Sequence, residues 1–363
     1  MTRGLLLLLI NLLPAIATAQ DRLGDLRDQG AGFTQVTPGR ELVFPRDHGA
    51  HPDYRIEWWY LTANLQDPQG RQWGVQWTLF RQALSPTPAG PGWSNNQVWM
   101  AHAAITTPTG HVHAQRFARG GIGQAGVSDP VQSGRFEAWL DDWHWRANGA
   151  HPFPAQLRFS FGDYTVDLQL SAQGERVLNG VDGYSQKSAQ GQASYYYSQP
   201  HVAVQGSITS AEAGVAVAGQ GWLDREWSSQ PLAENQQGWD WFSLHLDDGR
   251  KLMVYRLRHD DGQHWLSGSL VTPGEARRHL RHREIELEPL QSREISLGQG
   301  ARGIVPLDWR ITLNDPRQTL QVRPLYDQQW MDTRVPYWEG VMLVYDPDGQ
   351  AIGKGYMELT GYP

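Results

Sequence analysis

The 363-residue chain contains no cysteine. That excludes a disulfide framework, thiolate catalysis and cysteine-ligated metal centres. Lysine is confined to Lys187, Lys251 and Lys354, so positive charge is carried almost wholly by arginine. A net charge of −7 argues against nucleic acid and anionic membrane surfaces as partners. Beyond the extreme N-terminus no apolar run approaches the ~20 residues that span a bilayer, and no stretch sustains a long 3.6-residue periodicity. There is no Gly-x-Ser-x-Gly elbow and no glycine-rich phosphate loop, so serine-hydrolase and nucleotide chemistry have no motif to rest on.

The chain opens with Met1-Thr2-Arg3, an apolar run over 5–13, and Ala17-Thr18-Ala19. A basic start, a short apolar core and an Ala-x-Ala site form a secretory signal peptide. Cleavage is expected after Ala19, and Gln20 in place of cysteine closes the lipoprotein route. The expected mature protein is exported, periplasmic or secreted from a bacterium, with no integral membrane segment. Its length fits two domains at ~100–200 residues each. The expected organisation is a signal peptide at 1–19, an N-terminal arm at 20–44, a first domain at 45–209 and a second at 210–363. The division is placed in the small-residue stretch 207–219.

The mature chain reads as all-β. Trp73, Val75, Trp77 and Leu79 alternate with smaller or polar residues. So do Leu157, Phe159 and Phe161, then Val166, Leu168 and Leu170, and later Leu307, Trp309, Ile311 and Leu313. Period-two patterns separated by Asp67-Pro68-Gln69-Gly70, Asp248-Gly249, Asp261-Gly262 and Asp346-Pro347-Asp348-Gly349 predict hairpins. One short helix is expected at 275–280. Two aromatic-led hairpins with Gly-Arg turns, one from Tyr60 through Gly70-Arg71 and one from Trp241 through Gly249-Arg250, hint at an internal repeat.

Against the absences stands an aromatic load of 17 tryptophans. Burying one such ring removes ~150–250 Å² from water, worth ~4–6 kcal/mol, so core packing explains most of them. The exceptions adjoin carboxylates: Glu57-Trp58-Trp59-Tyr60, Trp222-Leu223-Asp224-Arg225-Glu226-Trp227 and Trp239-Asp240-Trp241. On a strand, Glu57 and Trp59 share one face and Trp58 and Tyr60 the other, and aromatics on both faces imply cover on both sides. Glu57 then serves either as a polar group in a cavity or as half of a buried Glu–Arg pair. Trp222, Asp224 and Glu226 share a face, either lining an inter-domain crevice or forming a salt-bridge network. The Glu57–Trp59 face is expected to meet Asp224 and Glu226. His111 and His113 follow a Thr109-Gly110 turn and lack the company of a metal centre. Ser185 reads as a polar turn residue.

Several of these motifs converge. His51-Pro52-Asp53 with Glu57-Trp58-Trp59-Tyr60, Trp77-x-Leu79-Phe80-Arg81, Gly180-Val181-Asp182-Gly183-Tyr184-Ser185, Tyr195-Tyr196-Tyr197-Ser198 and Asp224-Arg225-Glu226-Trp227 resemble the carotenoid 1,2-hydratase (hydroxyneurosporene synthase) family and its exported AttH-like relatives. Fungal Diels–Alderases are more distant relatives by fold. The resemblance implies two lipocalin-like β-barrel or sandwich domains, packed side by side with a pocket near their junction. It also implies an apolar polyene or isoprenoid ligand and no cofactor; the histidine pattern separately leads to no expected metal. The hydratases protonate an alkene and let water capture the cation. Trp227 and Tyr255 match them, but Arg225 replaces a histidine and Leu257 an aspartate, and neither replacement can act as an acid near neutrality.

The expected function is therefore an exported binding protein for an apolar or amphipathic small molecule. The alternatives are a cofactor-free hydro-lyase or cyclase of the hydratase type, or an envelope assembly protein. Candidate proton-handling residues are Glu57, Asp224, Glu226 and Tyr255. Candidate ligand contacts are Trp59, Trp77, His102, Tyr184, Trp222, Arg225, Trp227, Trp239 and Trp241.

Overall fold

The computed structural model describes residues 30–363 apart from Glu212. The expected signal peptide, its cleavage after Ala19 and the first part of the arm lie outside the described residues. The rest is almost entirely β, in two antiparallel sheets of 13 and 10 strands, as the alternating pattern and the turn residues imply. The helix expected at 275–280 is instead a turn leading into the short strand Arg278–Leu280. Its register with Gly268–Leu270 takes up the backbone groups that a helix would have paired internally.

The sheets share one wiring. In the first, Ile56–Gln66, Gln72–Ala83, Gln97–Thr107 and Gly110–Arg119 are laid down as successive hairpins, and the sheet's last strand, Gly214–Ser228, returns to pair with its first. In the second, Gln236–Leu246, Lys251–His259, Trp265–Val271 and Arg278–Leu280 run outward in the same way, and the final strand Ala351–Thr360 returns to Gln236–Leu246. The second sheet curls until Trp265–Val271 approaches Ile285–Gly298, giving it a nearly closed form. The two hairpins picked out as a repeat open these two matching circuits.

The expected division at residue 210 falls in a hairpin turn of the first sheet. Ala193–Thr209 and Gly214–Ser228 pair along their length, and the chain passes to the second sheet only after Ser228. The small residues there serve close packing rather than a linker: a side chain on Gly219 would run into the carbonyl oxygen of Asn64 on the next strand.

Each sheet encloses its own core. Trp59, Leu61, Trp77, Leu79, Leu223 and Trp227 point into the first; Phe242, Leu244, Val254, Trp309 and Met357 point into the second. Each core also holds a carboxylate clamped by two arginines. Glu57 is held by Arg81 and Arg225, and Asp240 by Arg256 and Arg258. In both cases one arginine sits directly opposite its acid on the hairpin partner. A third apolar cluster, with Tyr60, Trp222, Trp241, Met253, Tyr255 and Tyr356, joins the outer faces of the two sheets.

Candidate ligand-binding cavity

Residues on the outer faces do not all close on one another. Between them lies a cavity of about 1120 Å³, just above the ~300–1,000 Å³ typical of small-molecule sites. The first sheet contributes Trp58, Tyr60, Phe80 and Met100, with Asp224 and Glu226; the second contributes Trp239, Trp241, Tyr255, Leu257 and Glu358. Lining residues come from six neighbouring strands of the first sheet, from the one carrying Phe117 to the one carrying Tyr196. At ~4.8 Å per strand this is a contour of roughly 24 Å, suited to a long ligand. One end opens between Leu84 (62% exposed) and Phe117 (46%), beside exposed Arg334. At the other end Asp224, Glu226, Lys187, Tyr196 and Tyr255 are buried.

The polar groups gather at the closed end. Asp224 accepts hydrogen bonds from Tyr196 Oη at 2.6 Å, Trp222 Nε1 at 2.8 Å and the Ser198 hydroxyl. Trp241 Nε1 donates to Tyr196 Oη at 3.2 Å, extending the chain of donors. Burial pushes the Asp224 pKa up to about 7, despite the opposing pull of these hydrogen bonds. Glu226 pairs with Lys187 Nζ at 2.7 Å and accepts from Ser194. Tyr255 Oη lies 3.0 Å from Ser185 Oγ, and the Lys187 ammonium stands 4.4 Å over the Tyr255 ring.

On the second sheet Glu358 accepts from Trp239 Nε1 at 2.6 Å. Burial raises its pKa to about 7, against the pull of the Trp239 hydrogen bond. Directly across the strands stands Glu339, which accepts from Tyr60 Oη at 2.7 Å. Burial and the Glu358 charge hold its pKa well above the usual carboxylate range. Nearer the mouth, His102 Nδ1 lies 2.8 Å from Tyr337 Oη. Burial lowers the His102 pKa to about 3, so the ring is neutral.

The structure thus brings together Asp224, Glu226, Tyr255, His102, Trp239 and Trp241, with Trp222 bonded behind Asp224. It sends the other candidates elsewhere. Glu57, Trp59, Arg225, Trp227 and Trp77 face the core of the first sheet, and Tyr184 is on the short strand Tyr184–Gln186, outside the cavity wall. The expected meeting of the Glu57–Trp59 face with Asp224 and Glu226 is corrected by register. Glu57 opposes Trp227 and Trp59 opposes Arg225, while Trp58 opposes Glu226 and Tyr60 opposes Asp224. Paired residues share a face, so Trp58 and Tyr60 look into the cavity. Glu57 is instead the centre of a buried ion cluster. Burial alone would raise its pKa, but Arg81, Arg225 and a hydrogen bond from His51 outweigh that and hold it well below the ordinary value. The Arg225 guanidinium lies 3.8 Å over Trp59, and Trp227 stacks on His51 at 4.0 Å. The departures at Arg225 and Leu257 also fall apart in space: Leu257 lines the cavity and Arg225 does not.

Glu339, Glu358, Lys187 and Tyr60 were not among the candidates. A signal existed: Tyr337-Trp338-Glu339 and Tyr356-Met357-Glu358 repeat the carboxylate-among-aromatics pattern of the earlier motifs. Among the described residues no cluster of acidic or histidine side chains has the form of a metal site, and no helix is long and apolar enough to cross a membrane.

Two curled antiparallel sheets, joined by their outer faces around an aromatic cavity, define a lipocalin-like β protein. The chain belongs to the AttH-like family, whose model matches residues 35–362. An AttH protein of known structure from Nitrosomonas europaea is 34% identical, covering 91% of this chain and 100% of its own, with a TM-score of 0.79. Kievitone hydratase from Nectria haematococca shares the fold at 15% identity, covering 91% of this chain and 95% of its own, with a TM-score of 0.66. No protein of curated function matches the sequence.

Proposed function

We propose that this is an exported lipocalin-like protein that binds an apolar or amphipathic molecule, of lipid or isoprenoid type, in the cavity between its sheets. The observation that carries this reading is the cavity itself: long, walled by rings and aliphatic side chains, with its polar groups confined chiefly to the closed end. Native mass spectrometry of protein from a bacterial host tests it. Retention of a lipid-like mass, or uptake of an added long-chain alcohol, is the expected result; protein that does neither counts against it. Export rests on the sequence of residues 1–19. N-terminal sequencing of the exported protein should begin at Gln20, and a start at Met1 would contradict cleavage.

One observation favours a second reading. Asp224 and Glu358 line the cavity with pKa values raised to about 7, where a carboxylic acid keeps its proton close to neutrality. Either could protonate an alkene carbon; water would add to the cation, and the proton lost from that water would return to the carboxylate. At least one of Asp224→Asn and Glu358→Gln should then abolish conversion of a polyene by folded protein. Conversion that persists in both variants removes these acids.

A further inference from the structure

We propose that the ligand carries a cationic head, an amine or quaternary ammonium group, received by Asp224 and Glu358 within the rings of Tyr60, Trp239 and Trp241, with Glu339 standing behind Glu358. This rests on the cavity being the binding site and names the chemistry it selects.

Charge pairing carries the proposal. Lys187 is bonded to Glu226, which leaves the other three carboxyl groups at this end without a basic partner among the described residues. Their hydrogen bonds come from neutral donors: Tyr196 and Trp222 to Asp224, Tyr60 to Glu339, Trp239 to Glu358. Elsewhere the protein does the opposite. Glu57 and Asp240, its other deeply buried acids in strands, each hold two arginines. Burying carboxylates without counter-charge is costly, and a fold that clamps some acids with arginine while leaving Asp224 and Glu358 lining a cavity has reserved these two for a cation from outside.

Two further observations point to a ligand. Glu339, fully buried behind the cavity wall, has an Oε2 with no N–H or O–H donor; it can only share a proton with the opposed Glu358 carboxyl, so the one member of this pair that lines the cavity also lacks a counter-charge. The neighbouring walls are aromatic: Tyr60 and Trp241 meet edge to face at 5.3 Å, with Trp239 beside Glu358. Ring faces and carboxylates together are the chemistry that recognises alkylammonium groups. The rest of the cavity takes the apolar chain towards the mouth at Leu84 and Phe117.

Titration of the full chain with dodecyltrimethylammonium, dodecanol and laurate, each below its micelle concentration and followed by tryptophan fluorescence, tests this. The cation should bind at least about tenfold more tightly than the alcohol, and laurate most weakly. In Glu358→Gln and in Asp224→Asn the cation-to-alcohol ratio should fall towards one. Equal or tighter binding of the alcohol or of laurate by the unaltered protein overturns the cationic head and leaves the cavity reading intact. A ratio that survives both substitutions overturns the role of the carboxyl groups. Failure of all three probes to bind overturns the cavity reading with it. The comparison on unaltered protein needs no variant to fold.

Discussion

Glu339 and Glu358 stand opposite each other on adjacent strands, the first fully buried and the second open only to the cavity between the sheets. The counterpart is Glu57, equally buried but held between Arg81 and Arg225. The protein thus keeps two kinds of buried acid, one neutralised within the fold and one left for the cavity, and they respond to pH in opposite directions.

For the cavity acids the folded state holds its proton to higher pH than the unfolded chain. Asp224 and Glu358 rise from ordinary values of 3.8 and 4.5 to about 7. Their contribution to stability is whole below those ordinary values and is lost as pH rises through 7. Glu358→Gln should therefore stabilise the protein more at pH 8 than at pH 5, as read by urea unfolding at the two pH values. An equal effect at both would contradict the assignment.

The core acids lose stability on the other side. Glu57 and Asp47 are depressed, each against the cost of burial: Glu57 by Arg81, Arg225 and His51, Asp47 by hydrogen bonds from His51 and Val43 with the Arg40 charge. Their stabilisation is present above the ordinary carboxylate range and is lost as pH falls below it. Unfolding free energy should drop steeply below about pH 4. Glu57→Ala, which leaves Arg81 and Arg225 buried and unpaired, should cost about 3–5 kcal/mol. A loss below about 1 kcal/mol, the range of an exposed pair, would show that the cluster is solvated.

The two faces of the first sheet should also separate stability from binding. Trp58 is half-buried and lines the cavity; Trp77, on the next strand, is wholly inside the first core. Trp77→Ala should cost about 3–5 kcal/mol. Trp58→Ala should weaken binding of a long-chain alcohol about tenfold at a smaller loss of stability. Equal binding losses in the two folded variants would mean that the outer face is not the ligand's wall.

Much of the fold was legible because alternation and turn residues report a strand directly. Ile56–Gln66, Gln72–Ala83 and Ala301–Asn314 lie where Trp59, Trp77 and Trp309 alternate with their neighbours. The division of Glu57 and Trp59 from Trp58 and Tyr60 was legible too. Which face meets the cavity was not. Both carry aromatics and both are covered, so only the cross-strand register with Gly214–Ser228 decides. The stretch 207–219 misled for a related reason: glycine and alanine mark a linker and a tightly packed hairpin equally well. Glu339 and Glu358 are paired by strands of the second sheet that run far from Glu57 in sequence, and nothing local in either announces the other.

A structure of the protein with a neutral long-chain probe such as dodecanol bears most directly on the cavity. The chain should lie between the sheets, from Leu84 and Phe117 at the mouth towards Trp58, Trp241 and Tyr255. Probe found only on exposed apolar side chains such as Trp93, with the rings of Trp58 and Trp241 closed against each other, would contradict the cavity as the site of binding.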